Sequence, residues 1–453
     1  MKEAFFLLGV GGMGMSALAN YLLDRGELVA GSDRDYHRGR CLILRDRGLS
    51  VYQQGAGGLT RFVSANPDCE IRVVRSPAVE ATTPEMLDAS VLGLSVEERV
   101  SFLTRTFNAS QIRVAVVGSA GKTTTAALLS YILVACGKDP SYAIGGMIGR
   151  EANGRWGRSD LFVVEADESD GSVTHYRADL VLFTNLFSEH RSLDELRCAF
   201  LAMFSQMPNE GVILYSGMDE TLALMSQRPL IPVRGLLTLS SAGASLKIRW
   251  DHRTFNIPLA GAHNFLNVEL AVAAANRLGI EPQESLRFLE SFPGVEHRMV
   301  RVGETGGILV YSDFAHSPDE IRVSYESSLE LNHRVIYAYQ PHGYKPTYVQ
   351  RHALVEVFGA MRPTDTLVLT DIYYGGGTVE RDITGEELYN LVRNRHSNTH
   401  FVPLIVDLPR VLAEVAYDGS VVILAGARTI FDYGEETLAA LKLRSSQNRK
   451  QPE

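Results

Sequence analysis

An apolar strand pattern, IRVAVV at 112–117, runs directly into Gly118-Ser119-Ala120-Gly121-Lys122-Thr123-Thr124-Thr125, and a helical pattern carrying Leu128, Leu129, Ile132 and Leu133 follows at once. Strand, glycine loop and helix in that order commit this stretch to an α/β unit. The loop N–H groups and the positive end of the helix form a surface suited to phosphate. Lys122 is placed to reach the β- and γ-phosphates of a nucleotide, and Thr123 to offer a hydroxyl to Mg²⁺. The commoner form of this loop has one more glycine two positions before Gly118, where this chain has Val116. The loop is therefore a short variant, with Gly118, Ser119, Gly121, Lys122, Thr123 and Thr124 as candidate ATP contacts.

Such a loop needs a carboxylate partner for its metal. Glu165 completes the next apolar strand, LFVVE, and Asp167, Glu168 and Asp170 crowd the same turn. His190 lies just past the strand DLVLFTN and can approach the same place. A second glycine loop opens the chain. Gly9, Gly11 and Gly14 fit G-x-G-x-x-G between the strand FFLLGV and a helix with Met15, Leu18 and Leu22 on one side, and Asp33 ends the following strand. Alone, this pattern reads as an NAD site, but the same geometry holds any diphosphate, including that of a UDP-sugar. Only the second loop has the Lys-Thr pair, which points to one diphosphate-bearing substrate plus ATP.

A chain of 453 residues, with 45% hydrophobic and 21% charged residues, has room for two or three domains with cores. Its net charge of −9 argues against a nucleic-acid partner but not against a polyanionic small molecule held by local amides and one lysine. Cys41, Cys69, Cys136 and Cys198 form no metal-ligand spacing, so they read as buried, reduced thiols and zinc is not expected. The opening apolar stretch, about six residues, is too short for a membrane span or a signal peptide. The cytoplasm is the expected location.

Near-continuous apolar runs at 161–167 and 179–185 predict parallel strands covered on both faces. Residues 212–260 read as short antiparallel strands, and NFLNVELAVAAANRLGI as an amphipathic helix from about Asn264. Beyond His297, the strand candidates ILVYSD, RVIYAYQ, TLVLTD and VVILAG each end in polar or glycine residues, where an open α/β sheet carries its functional groups. The organisation is three α/β units in a row.

With these motifs in place, nearly the whole chain resembles the Mur ligases, three-domain, ADP-forming amide ligases of peptidoglycan synthesis. The matching segments are GVGGMGMSALA, SPAV, GKTTT, EADESD, TNLFSEH, AGAHNFLN, GVEHRM, SDFAHSP, YQPHGYKPT, LTDIYYGG and LAGARTI. The resemblance is strongest to the branch that joins UDP-N-acetylmuramate to L-alanine, while SDFAHSP fits the peptide-recycling branch about as well. It implies a Rossmann-like N-terminal domain (1–106) for the UDP substrate and a central P-loop ATPase-like domain (107–296). A Rossmann-like C-terminal domain (297–453) would take the acceptor. ATP and Mg²⁺ are the implied cofactors. A UDP-linked amino sugar acid and an amino acid or short peptide are the implied partners.

Residue by residue, the resemblance places Gly11, Gly12, Met13, Gly14, Asp33 and Ser76 at the UDP substrate and Thr123, Glu165 and His190 on metal. His263, Asn264 and Asn267 fall at the nucleotide, and Arg298 and Asp313 beside it. His342, Tyr344 and Lys345 fall near the acceptor. Lys122, His190, Arg298 and His316 become the catalytic candidates, and the C-terminal domain is expected to close over the central one.

Several positions depart from the family pattern. Ser119-Ala120 replaces Thr-His, Glu189 replaces the Asp of an Asp-His pair, Ser312 replaces one Asp of an Asp-Asp pair, and Ser317 replaces the second His of SDFAHSP's counterpart. Both arginines of Q-P-H-R-Y-x-R-T are absent, leaving Gly343 and Pro346. Neither can donate a side-chain hydrogen bond to a carboxylate. Another acceptor, an NAD-dependent oxidoreductase and a non-catalytic nucleotide-binding protein stay open as rival readings. The oxidoreductase leaves GKTTT and Glu165 unexplained.

Overall fold

The structure, a computed structural model, describes residues 2–149, 152–168, 171–187, 192–216, 226–331, 334–374, 381–426 and 428–448. The chain divides into two compact units, one of residues 1–237 and 266–295 and the other of 238–265 and 296–453.

In the first unit, β1 (Lys2–Leu8), β2 (Leu28–Asp33), β3 (Ser50–Gln53), β4 (Cys69–Arg75) and β5 (Val96–Glu98) form a parallel sheet in the order β3-β2-β1-β4-β5. Strand β1 shows why it is central. Phe5 and Leu7 enter one core while Ala4, Phe6 and Leu8 enter the other, so both pleat faces are apolar.

The larger sheet contains β6 (Ile112–Val117), β7 (Ser141–Ile148), β8 (Ala152–Arg155), β9 (Leu161–Glu165), β10 (Leu180–Phe183), β11 (Val212–Tyr215) and β12 (Leu230–Pro232). Its order is β12-β11-β10-β6-β9-β7-β8, parallel except for β8 on β7. The expectation that residues 212–260 are antiparallel holds for 238–257 but needs correction for the strands before them. β11 and β12 are parallel members of this sheet, as the buried apolar run Val212–Leu214 requires.

Helix Met13–Asp24 joins the two sheets of this unit. Fully buried Asn153 on β8 donates to the Met13 carbonyl (2.7 Å) and to Ser16 Oγ (3.1 Å), and accepts from Asn20 Nδ2 (3.1 Å). Next to it, Gly154 lies so close to the helix that a Cβ would fall 1.9 Å from the Ala17 carbonyl oxygen.

The second unit holds the antiparallel trio β13 (Thr238–Ser241), β14 (Leu246–Trp250) and β15 (Arg253–Ile257). It also holds a six-stranded sheet of β16 (Val300–Thr305), β17 (Ile308–Asp313), β18 (Arg334–Gln340), β19 (Thr366–Thr370), β20 (Thr399–Val402) and β21 (Ser420–Gly426). The order is β16-β17-β21-β18-β19-β20, with only the β16–β17 pair antiparallel. Along β18, Val335, Tyr337 and Tyr339 face one core and Ile336 and Ala338 the other. All four cysteines are free thiols, but only Cys41 is buried and Cys198 is exposed, which corrects the expectation of four buried thiols. No helix among the described residues is long and apolar enough to cross a membrane.

Candidate active site

The first cluster forms where β6, β9 and β10 end side by side. Gly118 has φ 126°, and a Cβ there would lie 2.2 Å from Thr184 Oγ1 and 2.7 Å from the Asn185 carbonyl oxygen. The loop thus presses against the segment after β10. That segment braces it: the Ala120 N–H donates to Asn185 Oδ1 (2.8 Å), Asn185 Nδ2 donates to the Ala120 carbonyl (3.0 Å), and Ser119 Oγ donates to the Phe187 carbonyl (2.8 Å). Gly121, at φ 83°, starts helix Lys122–Ala135 and packs against Asn267. Thr125 Oγ1 donates to Asn267 Oδ1 (3.2 Å), while Thr124 is buried in the same first turn.

Thr123 Oγ1 donates to Glu165 Oε1 (2.9 Å), and the Gly145 N–H donates to Glu165 Oε2 (2.7 Å). The Lys122 ammonium meets Glu168 Oε2 at 2.9 Å and the Ser119 carbonyl at 3.1 Å. Burial pushes the Glu168 carboxyl up to about 7 against the pull of Lys122. Burial also opposes charge on Lys122, yet Glu168, Asp167 and Glu165 together raise it. The two shifts pull against each other for a simple ion pair. The lysine faces three carboxylates and Glu168 one cation, so a charged Lys122 is the firmer direction. Asp170 and His190 lie outside the described residues.

The second cluster is the glycine turn after β1. The Gly9 and Val10 N–H groups donate to the Ser32 carbonyl, and the Gly11 N–H donates to Asp33 Oδ2 (2.8 Å). Asp33 Oδ1 accepts from the Asp35 N–H (2.9 Å), so this carboxylate fixes the turn. Gly12 precedes the helix that begins at Met13, and Ser76, at the end of β4, lies against Gly9. A Cβ on Gly14 would lie 2.7 Å from Arg99 Nη1, which puts an unanticipated cation at this turn.

The third cluster lines the carboxyl ends of β17, β18 and β19 in the second unit. Asp313 Oδ1 accepts from the Met299 N–H (3.1 Å), and burial pushes its carboxyl up to about 6. The Arg298 guanidinium lies over the Phe314 ring at 5.3 Å. His316 Nδ1 meets Glu320 Oε2 at 2.9 Å. The rings of His316 and His342 are 6.5 Å apart, and His342 stacks on Tyr373 at 5.7 Å. Tyr344 and Lys345 open helix Tyr344–Gly359.

His263 is exposed and pairs through Nδ1 with Ser327 Oγ (3.0 Å), and Asn264 Nδ2 donates to the Ala260 carbonyl (2.7 Å). Both belong to the second unit, whereas Asn267 belongs to the phosphate-loop cluster.

Four departures from the family pattern have local causes. Ser317 caps helix Pro318–Leu329 in a capping box with Glu320. Ser312 Oγ pairs with His297 Nδ1 at 3.3 Å. Gly343 has φ 77° and ψ 144°, a backbone combination open in practice only to glycine, so no arginine can stand there without rebuilding the turn. Pro346 sits in the first helical turn, where a missing N–H breaks no helical bond.

Burial would raise the Glu320 carboxyl, but His316 and Arg298 outweigh it and hold it well below its ordinary 4.5. A depressed folded value means a contribution to stability that is present above about 4.5 and lost as pH falls further. Glu320→Gln is therefore expected to destabilise the protein by about 1–2 kcal/mol at pH 7. Urea titrations should show the gap closing in acid; an equal gap at pH 7 and pH 3 would refute the charge argument.

Residues 6–111 match the Mur ligase family, catalytic domain, and residues 297–428 match the Mur ligase glutamate ligase domain. The chain is 30% identical to UDP-N-acetylmuramate–L-alanine ligase of Solibacter usitatus, covering 98% of this chain and 97% of that one. It is 32% identical to the enzyme of the same name from Myxococcus xanthus, over 96% and 94%. The fold matches the crystal structure of UDP-N-acetylmuramate-alanine ligase from Thermotoga maritima with a TM-score of 0.79 at 24% identity, covering 99% of this chain and all of the other. A murein peptide ligase from Psychrobacter arcticus matches with a TM-score of 0.72 at 21% identity, over 97% and 99%. The chain belongs to the Mur ligase family and is an ATP-dependent, ADP-forming ligase of the three-domain α/β fold.

Proposed function

We propose that this ligase joins UDP-N-acetylmuramate to L-alanine in the cytoplasm. The observation that carries the reading is the coexistence of a phosphate loop set against Thr123 and Glu165 with a second glycine turn fixed by Asp33. The full-length similarity to L-alanine ligases supports the choice of substrates.

In this reading the turn at Gly11, Gly12, Met13 and Gly14, with Ser76, holds the UDP diphosphate. Gly118, Ser119, Gly121, Thr124 and Asn267 hold ATP, with His263, Asn264, Arg298 and Asp313 as further nucleotide candidates. Thr123 and Glu165 present hard oxygen donors 2.9 Å apart, and the Gly145 N–H fixes the far carboxylate oxygen, a donor set that fits Mg²⁺. A Mg²⁺ ion held by these residues would supply neutralisation of phosphate charge. His190 remains a candidate third ligand.

Lys122 exchanges Glu168 for phosphate oxygens and stabilises charge on the transferring group. A carboxylate oxygen of the lactyl group bonds to the γ-phosphorus as the bond to the ADP oxygen breaks. The acceptor amine then attacks the acyl carbon of this acyl phosphate, inorganic phosphate leaves, and the amine loses a proton to form the amide. His316, oriented by Glu320, is the candidate to take that proton, with His342, Tyr344 and Lys345 at the acceptor.

Purified protein incubated with ATP, Mg²⁺, UDP-N-acetylmuramate and a panel of amino acids and short peptides is expected to yield one product, with the mass of the L-alanine adduct. A product with another amine, or none with L-alanine, would overturn the assignment.

A further inference from the structure

Residues 341–347 leave the end of β18 without an arginine, although an acceptor amino acid brings a carboxylate that must be neutralised. The same end of the sheet nevertheless holds one. The Arg381 guanidinium lies 5.2 Å from the centroid of the Tyr344 ring and 5.6 Å from that of Tyr374, and the two rings are 6.1 Å apart. Tyr344 is the first residue of the helix after β18, and Tyr374 follows β19. The backbones here are tied together as well, since the Gly343 N–H donates to the Tyr373 carbonyl (3.0 Å) and the Tyr373 N–H to the Pro341 carbonyl (2.9 Å).

An aromatic ring attracts a guanidinium without consuming any of its five N–H donors. The two tyrosines therefore hold this cation in place and leave its donors for a ligand. Arg381 is exposed, and among the described residues it has no carboxylate partner. Most other arginines of this unit with an exposed side chain do: Arg301 pairs with Glu304, Arg322 with Asp319, Arg362 with Asp365 and Arg410 with Glu414. His342, at the same strand end as Tyr344, stacks on Tyr373, the neighbour of Tyr374.

Building on the proposed amino-acid ligation, we infer that Arg381, held by Tyr344 and Tyr374, binds the α-carboxylate of the acceptor and sets its specificity for a free amino acid. It takes over a task that the glycine-only backbone at 343 and the proline at 346 deny to those positions. A planar guanidinium meets a carboxylate through two parallel hydrogen bonds, so the site discriminates against an acceptor whose carboxylate has been converted to an amide.

The test compares L-alanine with L-alaninamide as acceptor for the wild-type enzyme, Arg381→Ala and Arg381→Lys. Arg393→Ala, which removes a similar surface arginine over Tyr389, is the control. In Arg381→Ala, KM for L-alanine is expected to rise about tenfold or more, the size of a lost charged hydrogen bond. Its kcat and its KM for ATP stay near wild type, the preference for L-alanine over the amide collapses, and lysine restores part of it. An Arg381→Ala enzyme that keeps the wild-type preference overturns this inference while leaving the parent reading standing. If wild-type enzyme forms no product with any α-amino acid, both fall together.

Discussion

Replacing Lys122 with alanine is expected to lower the rate of ADP formation by about a thousandfold, the scale of losing one preorganised donor to developing charge. The lysine lies within hydrogen-bond reach of both Glu168 and the Ser119 carbonyl. The substitution has a second effect that must be separated from the first. The paired side chains are only 12% and 6% exposed, so removing the lysine strands a buried carboxyl. Breaking such a pair costs about 3–5 kcal/mol when the remaining charge cannot relax. Glu168 can relax, because burial already brings it to about 7 and protonation near neutrality is cheap. The double substitution Lys122→Ala with Glu168→Gln removes the stranded charge altogether. It should recover the unfolding midpoint and leave ADP formation about a thousandfold down in a coupled assay. Turnover within tenfold of wild type in either variant would remove Lys122 from its assigned role.

Gly154→Ala is expected to produce the largest loss of stability. Its new Cβ would sit 1.9 Å from the carbonyl oxygen and 2.6 Å from the carbonyl carbon of Ala17. Both are backbone atoms of a helix whose neighbouring Leu18, Ala19 and Leu22 are buried, so neither can swing aside. Strand β8 must retreat from the helix by about an ångström, and forced repacking of this kind costs about 1–3 kcal/mol. The retreat also stretches the three hydrogen bonds of Asn153, whose polar atoms no water can reach, adding about 1–3 kcal/mol. A chain of two compact units need not unfold in one step, so the comparison belongs to the first unit's transition. A urea midpoint equal to wild type would show that the contact is looser than its geometry. The same variant should raise KM for the UDP substrate, because the Ala17 helix begins at the Gly11–Gly14 turn.

Much of the fold could be read from local pattern. The strand ends at Asp33, Val117, Glu165, Asp313 and Gln340 follow from apolar runs stopped by polar or glycine residues, and the helix at Asn264 starts where expected. Strand β16 escaped notice because VRVGET is half-exposed throughout and carries a register shift at Gly303. Residues 212–232 were misassigned because two short strands and a turn look alike in either sheet direction; only burial on both faces decides. The phosphate loop and Glu165 were legible because their chemistry lies in contiguous motifs. The Asn185 brace and the Glu168–Lys122 pair were not, since they depend on β10 and β9 flanking β6. Ser317 and Gly343 looked like lost chemistry and are helix starts, a distinction that turns on backbone angles.

The place of β21 bears on how the protein is made. It is the final strand in sequence, yet it pairs with β17 on one side and β18 on the other. On the ribosome, β17 and β18 therefore emerge roughly a hundred residues before the strand that must separate them. Until Ser420–Gly426 clears the exit tunnel, both expose unpaired edges rich in valine, isoleucine and tyrosine. The first unit needs nothing beyond residue 295 and can finish while synthesis continues. A nascent chain stalled short of residue 420 is thus half native and half adhesive. Chaperone demand should peak in that interval of translation.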